Sequence, residues 1–79
     1  MGVTEVRLRL RAARLRRRLR PRLVDRRLAW PPGTVAEFER GRLDLAFDDV
    51  IELLRAYGLF SFANLEVEDR EVGGRSRLV

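Results

Sequence analysis

The sequence predicts an all-α fold, a small bundle of four to five helices. Three observations lead there. Apolar residues recur at helical spacing in Val6, Leu10 and Ala13, and again in Phe47, Val50, Ile51 and Leu54. Residues 6–18 are rich in Leu, Arg and Ala, all good helix formers. Pro21 and the run Pro31-Pro32-Gly33 punctuate the middle of the chain as a helix start and a tight turn.

The first helix is expected from a Thr4 N-cap, with Glu5 in the first turn where a carboxylate suits the helix dipole, to about Arg18. At 100° per residue its apolar positions fall on two faces. Val3, Val6, Leu10 and Ala13 share one, and Leu8, Ala12, Leu15 and Leu19 share the other. A helix on the outside of a monomer needs only one such stripe. Pro21 opens a second helix, with Leu23, Val24 and Leu28 as its apolar side, which ends by Trp30 because Pro31 disfavours helical geometry before it. Pro32 serves as the first residue of a third helix running to Glu39, and Gly41 caps its end. Pro21 to Glu39 therefore reads as a helix-turn-helix.

Leu43 to Ala46 forms a connector, and a fourth helix runs from Phe47 to about Tyr57, stopped by Gly58. Phe60, Phe62 and Leu65 supply a short fifth helix or a turn. Residues Leu65 to Glu68 alternate like a short strand, and Gly73 to Val79 read as frayed. One domain over residues 1–66 is expected, with 67–79 a tail that is a short strand or disordered.

Seventy-nine residues lie near the low end for an independent core. The chain has no cysteine and no histidine. Disulfides, thiolate or imidazole metal sites and Cys or His nucleophiles are thereby excluded. No set of catalytic residues stands out, no metal or cofactor is expected, and the chain reads as a non-enzyme. Asp48, Asp49 and Glu52 are acids of the kind a helix start favours rather than a metal site. Dimerisation is the expected extra source of stability. No stretch reaches the roughly 20 apolar residues of a membrane span, nothing resembles a signal peptide, and a cytoplasmic location is expected.

Charge is unevenly placed. Residues 1–29 hold 11 arginines and two acids, a local net of +9, and residues 30–79 hold six arginines and 10 acids, a local net of −4, which sum to the overall +5. A basic half beside an acidic half points to nucleic acid or to head-to-tail self-association.

Three segments, in this order and spacing, carry a family resemblance. They are Leu10-Arg-Ala-Ala-Arg14 with Leu19, Thr34-Val-Ala-Glu-Phe-Glu-Arg-Gly-Arg42, and Phe47-Asp-Asp-Val-Ile-Glu-Leu-Leu-Arg-Ala-Tyr-Gly58. Over about residues 5–65 the chain resembles the Cro/C1-type (XRE family) helix-turn-helix regulators, the lambda-repressor-like fold. The resemblance implies a homodimeric repressor of transcription bound to double-stranded DNA through the third helix. It also implies a structural ion pair between Arg14 and Glu39, and a core position at Leu28. Arg20, Arg22, Arg40 and Arg42 fall where family members touch phosphates. Pro32, Gly33 and Glu37 fall where the family has its base-reading side chains.

Departures from the family pattern concentrate on that edge. Pro21 stands where a phosphate-gripping Gln is common, and Ala29 followed by Trp30 stands where the turn usually has Gly. Pro32 and Gly33 offer no polar side chain. Thr34 can touch a thymine methyl group or a phosphate, and Glu37 can accept from a cytosine amino group. Arginines neutralising phosphates add salt-dependent affinity without sequence information. Arg16, Arg17 and Arg18 are expected to extend the positive field. Trp30 and Phe38 are expected in the core. A second function class follows from the extra stripe on helix one: a protein-binding module of antitoxin or antiactivator type, docking through Leu8, Ala12 and Leu15. RNA binding is less favoured, for no aromatic platform lies among the basic residues.

Overall fold

The computed structural model describes residues 2–68 and 70. Four helices, α1 (Val3–Arg16), α2 (Pro21–Arg27), α3 (Thr34–Glu39) and α4 (Phe47–Ala56), are followed by a fifth, α5, over residues 62–68. The described residues contain no strand.

The first four helices stop in the same way. After each, a residue in the left-handed region turns the chain, and its N–H and the next one bond back to carbonyls of the last turn. Gly41 (φ 77°) and Gly58 (φ 75°) do this after α3 and α4 without steric cost. Arg18 (φ 55°) and Ala29 (φ 57°) do it after α1 and α2. A side chain there costs about 1–2 kcal/mol, so the two turns that frame α2 are held against local preference by what packs around them.

The core draws on every helix. Leu10 and Ala13 of α1 meet Val24 of α2, Val35 and Phe38 of α3, Val50, Leu53 and Leu54 of α4, then Tyr57, Leu59 and Leu65. Leu28 and Trp30 pack partly buried against this cluster. Each fully buried leucine contributes roughly 1.5–3 kcal/mol relative to exposure.

Several expectations need correction. Gly2, not Thr4, is the N-cap of α1, and the helix ends at Arg16 rather than Arg18. Thr4 therefore lies inside the first turn and is exposed, and Val3, the first residue of the helix, is 67% exposed rather than packed with Val6, Leu10 and Ala13. Leu19 lies in the turn after α1 and packs on the core instead of sharing the face of Leu8 and Leu15. Pro32 precedes α3, which starts at Thr34 after a left-handed Gly33 N-cap (φ 94°). Phe47 is 67% exposed, because it is the first residue of α4 and overhangs the core; Leu53 and Tyr57 take the buried positions beside Val50 and Leu54. Residues 65–68 are helical, not a strand: Leu65 is buried while Val67 faces out. The expectation of a frayed tail over Gly73–Val79 lies outside the described residues.

α5 is tied back to the end of α1 by charge. Glu68 accepts from Arg16 Nη2 at 2.5 Å and from Arg17 Nη2 at 2.5 Å. Arg17 Nε also donates to the Tyr57 carbonyl at 2.6 Å. Two arginines of the basic run are thus engaged inside the fold. The Arg17 hydrogen bond, opposed by partial burial and aided by Arg16, lowers the Glu68 pKa from 4.5 to about 2. Because the folded value lies below the unfolded one, this latch contributes its full stability above pH 4.5 and loses it as pH falls towards 2. Glu68→Gln is expected to lower the melting temperature near neutral pH and to flatten its decline between those values. Parallel melting curves of the two proteins check this, and identical slopes would remove the latch from the account.

Candidate nucleic-acid interface

The surface around α3 is built from two fixings, one at each end of the helix. Neither is local in sequence.

Asp25 makes the first. It lies in α2 and is buried, with 2% of its surface exposed. Its Oδ2 accepts from the Gly33 N–H at 2.8 Å and its Oδ1 accepts from the Val35 N–H at 2.9 Å. No side chain within α3 caps its own N-terminus. The carboxylate of α2 does so instead, satisfying donors that a helix start leaves open and placing negative charge at the positive end of the dipole. This bond pair ties the start of α3 to α2, and Val24 and Val35 of the two helices both lie in the shared core.

Arg14 and Glu39 make the second. Arg14 Nε donates to Glu39 Oε2 at 2.7 Å, and Nη2 donates to Oε1 at 2.9 Å, a bidentate pair. Nη1 donates to the Leu19 carbonyl at 2.8 Å in the α1–α2 turn. The Glu39 hydrogen bonds raise the Arg14 pKa above its ordinary value against the opposing effect of burial. Tyr57 lies close by, and burial pushes its hydroxyl well above the usual tyrosine range. Arg7 adds a contact from the other side, its guanidinium 5.3 Å from the centre of the Phe38 ring and paired with Asp44.

With α3 held this way, the residues assigned to DNA contact line two adjoining hollows that share Gly33 and Glu37. The larger, about 520 Å³, adds Arg20, Arg22 and Arg40, and the other, about 390 Å³, adds Pro32, Thr34 and Arg42. Arg20, Arg22, Arg40 and Arg42 are all exposed. The Thr34 hydroxyl donates to the Pro31 carbonyl at 2.6 Å, which leaves its methyl group and the acceptor side of its oxygen free. Glu37 sits between two guanidinium groups, Arg40 Nη1 3.7 Å from Oε1 and Arg42 Nη1 3.9 Å from Oε2. Exposed pairs of this length are worth about 0–1 kcal/mol, so they hold the two arginines only weakly.

Leu8, Ala12 and Leu15 lie away from both hollows, on the outer face of α1. Leu8 is 60% and Leu15 49% exposed, while Ala12 is half-buried.

Sequence reasoning missed two residues here. Asp25 carries no local signal of its bonds to Gly33 and Val35, eight and ten residues on. Arg26 lines a further hollow with Arg22, Trp30 and Pro32; its spacing of four from Arg22 on one helix was the available clue. The described residues hold no cluster suited to a metal ion and no helix long and apolar enough to cross a membrane.

A family of proteins described as helix-turn-helix domain matches residues 5–66 of the chain. No curated protein and no solved structure gives a significant match.

Proposed function

The chain belongs to the helix-turn-helix domain family, and from that premise we propose that it is a repressor-like transcriptional regulator that binds double-stranded DNA as a homodimer. The observation that carries this reading is the position of α3, fixed at both ends and bordered by four exposed arginines, Arg20, Arg22, Arg40 and Arg42. Two such helices in successive major grooves would stand about 34–36 Å apart on a two-fold operator. Arginines supply phosphate contacts on either side, and DNA shape supplements a sparse set of base contacts. Residues 1–66 form the binding domain in this reading, with 67–79 as a tail, and the protein acts in the cytoplasm at the nucleoid. It needs no cofactor and catalyses no reaction.

Fluorescence anisotropy of labelled duplexes across about 50–200 mM salt tests the reading. Affinity should fall steeply with salt, and each of Arg20→Ala, Arg22→Ala, Arg40→Ala and Arg42→Ala should flatten the log–log slope by about 1. No binding at about 50 mM salt would remove the proposal.

The exposure of Leu8 and Leu15 favours a second reading, a protein-binding module of antitoxin or antiactivator type that uses the outer face of α1. In sedimentation of the same samples, Leu8→Glu with Leu15→Glu separates the two. A DNA-binding dimer indifferent to this change leaves α1 without an interface role.

A further inference from the structure

The reading edge of α3 has few hydrogen-bonding groups, and those few have one polarity. Pro32 offers none. The Gly33 N–H is committed to Asp25, and the Thr34 hydroxyl proton is committed to the Pro31 carbonyl, which leaves that oxygen only as a neutral acceptor. Glu37 remains, with 41% of its side chain exposed and its two oxygens facing different arginines. At 3.7 and 3.9 Å these are ion pairs without hydrogen bonds. The carboxylate lone pairs and the guanidinium donors therefore all stay available.

A carboxylate only accepts. In the major groove the donors are the amino groups of cytosine and adenine. Adenine sets the N7 acceptor beside its amino group, which repels a second acceptor, whereas cytosine presents only a C–H there. Across the same C·G pair, guanine shows O6 and N7, the two acceptors that a guanidinium matches. One base pair thus offers a donor to Glu37 and acceptors to the arginine next to it. The trio of Glu37, Arg40 and Arg42 keeps a net positive charge, so an acidic reader is tolerable between phosphates.

We propose that Glu37, flanked by Arg40 and Arg42, selects a C·G pair in each half-site, with the cytosine amino group donating to the Glu37 carboxylate and a neighbouring guanidinium donating to guanine. This rests on the DNA-binding reading above and adds the sequence class it recognises.

Selection from a randomised duplex library by the full chain, followed by sequencing of bound DNA, tests it with the wild type, Glu37→Gln and Glu37→Ala. The wild type should enrich C·G at one position per half-site, and changing that pair to T·A should weaken binding about 5- to 100-fold. Glu37→Gln should move the preference at that position to adenine, whose N6 and N7 suit an amide, and leave the rest of the motif unchanged. Glu37→Ala should accept any base there. Glu37 is only half-buried and its ion pairs are long, so both variants should melt close to the wild type. A wild-type preference for another base, or a motif unchanged in both variants, would overturn the assignment. Binding without any motif overturns it too while leaving DNA binding intact. Failure to bind any duplex at about 50 mM salt removes the reading beneath both.

Discussion

Replacing Arg14 with Met while Glu39 is kept is expected to cost the fold about 3–5 kcal/mol. A domain of this length has only about 4–12 kcal/mol in total, so the variant should be largely unfolded at moderate temperature. The reason is asymmetry. Both side chains are more than nine-tenths buried, at 9% and 7% exposure, and each satisfies the other's charge through two short bonds. Removing the guanidinium leaves a carboxylate out of water with no counter-charge, and also frees the Leu19 carbonyl beside the left-handed Arg18. Glu39→Met should cost a similar amount by leaving the guanidinium alone. Replacing both by Met should recover much of the loss, because apolar residues of similar size meet no such penalty. Urea titrations of the four proteins give the coupling energy directly. Single losses below about 1 kcal/mol that simply add in the double variant would mean that the pair does not hold α3 to α1.

That pair shows what was legible in the sequence. Its two members lie in motif segments, so the family resemblance alone places them opposite one another. The helices that carry the core were legible for a similar reason: their apolar spacing repeats over two or more turns. Helix ends were not. In α4, Phe47, Val50, Ile51 and Leu54 form an apolar stripe, and so do Val50, Leu53, Leu54 and Tyr57. Periodicity cannot decide between overlapping stripes; the position of the first turn relative to the core does, and it leaves Phe47 outside. At residues 65–68, two apolar and two acidic residues in alternation fit a strand as well as one helical turn. Burial of Leu65 alone settles it as helix. Contacts between distant charges were the least legible. Glu68 lies 51 and 52 residues from the arginines it holds, and those arginines read in sequence as part of a free positive field. Charge at a position says nothing about its partner until the chain brings the two together.

Asp25→Ala is the second large effect, and it separates stability from function. The substitution deletes two charge-assisted hydrogen bonds, each of a kind worth about 1.5–3 kcal/mol. The Gly33 N–H lies near the surface and can turn to water, whereas the Val35 N–H is buried and cannot. Recovering the desolvation of a buried carboxylate offsets part of the loss, so the expected net cost is about 2–4 kcal/mol. Melting should drop by roughly 4–8 °C for each kcal/mol. Asp25→Asn keeps the shape but has one acceptor where two are used, and sets an amino group against a backbone N–H. It should recover less than half of the loss. The local signature is sharper than the global one. Amide exchange at Val35 should accelerate well beyond that at Phe38, because the start of α3 loses its cap while its far end is still held through Arg14 and Glu39. If the DNA-binding reading holds, affinity should fall at a temperature where Asp25→Ala is still folded, because Pro32, Gly33 and Glu37 depend on that cap for their position. Unchanged Val35 protection, with stability within about 0.5 kcal/mol of wild type, would show that packing of Val24 against Val35 sets the start of α3 without the carboxylate.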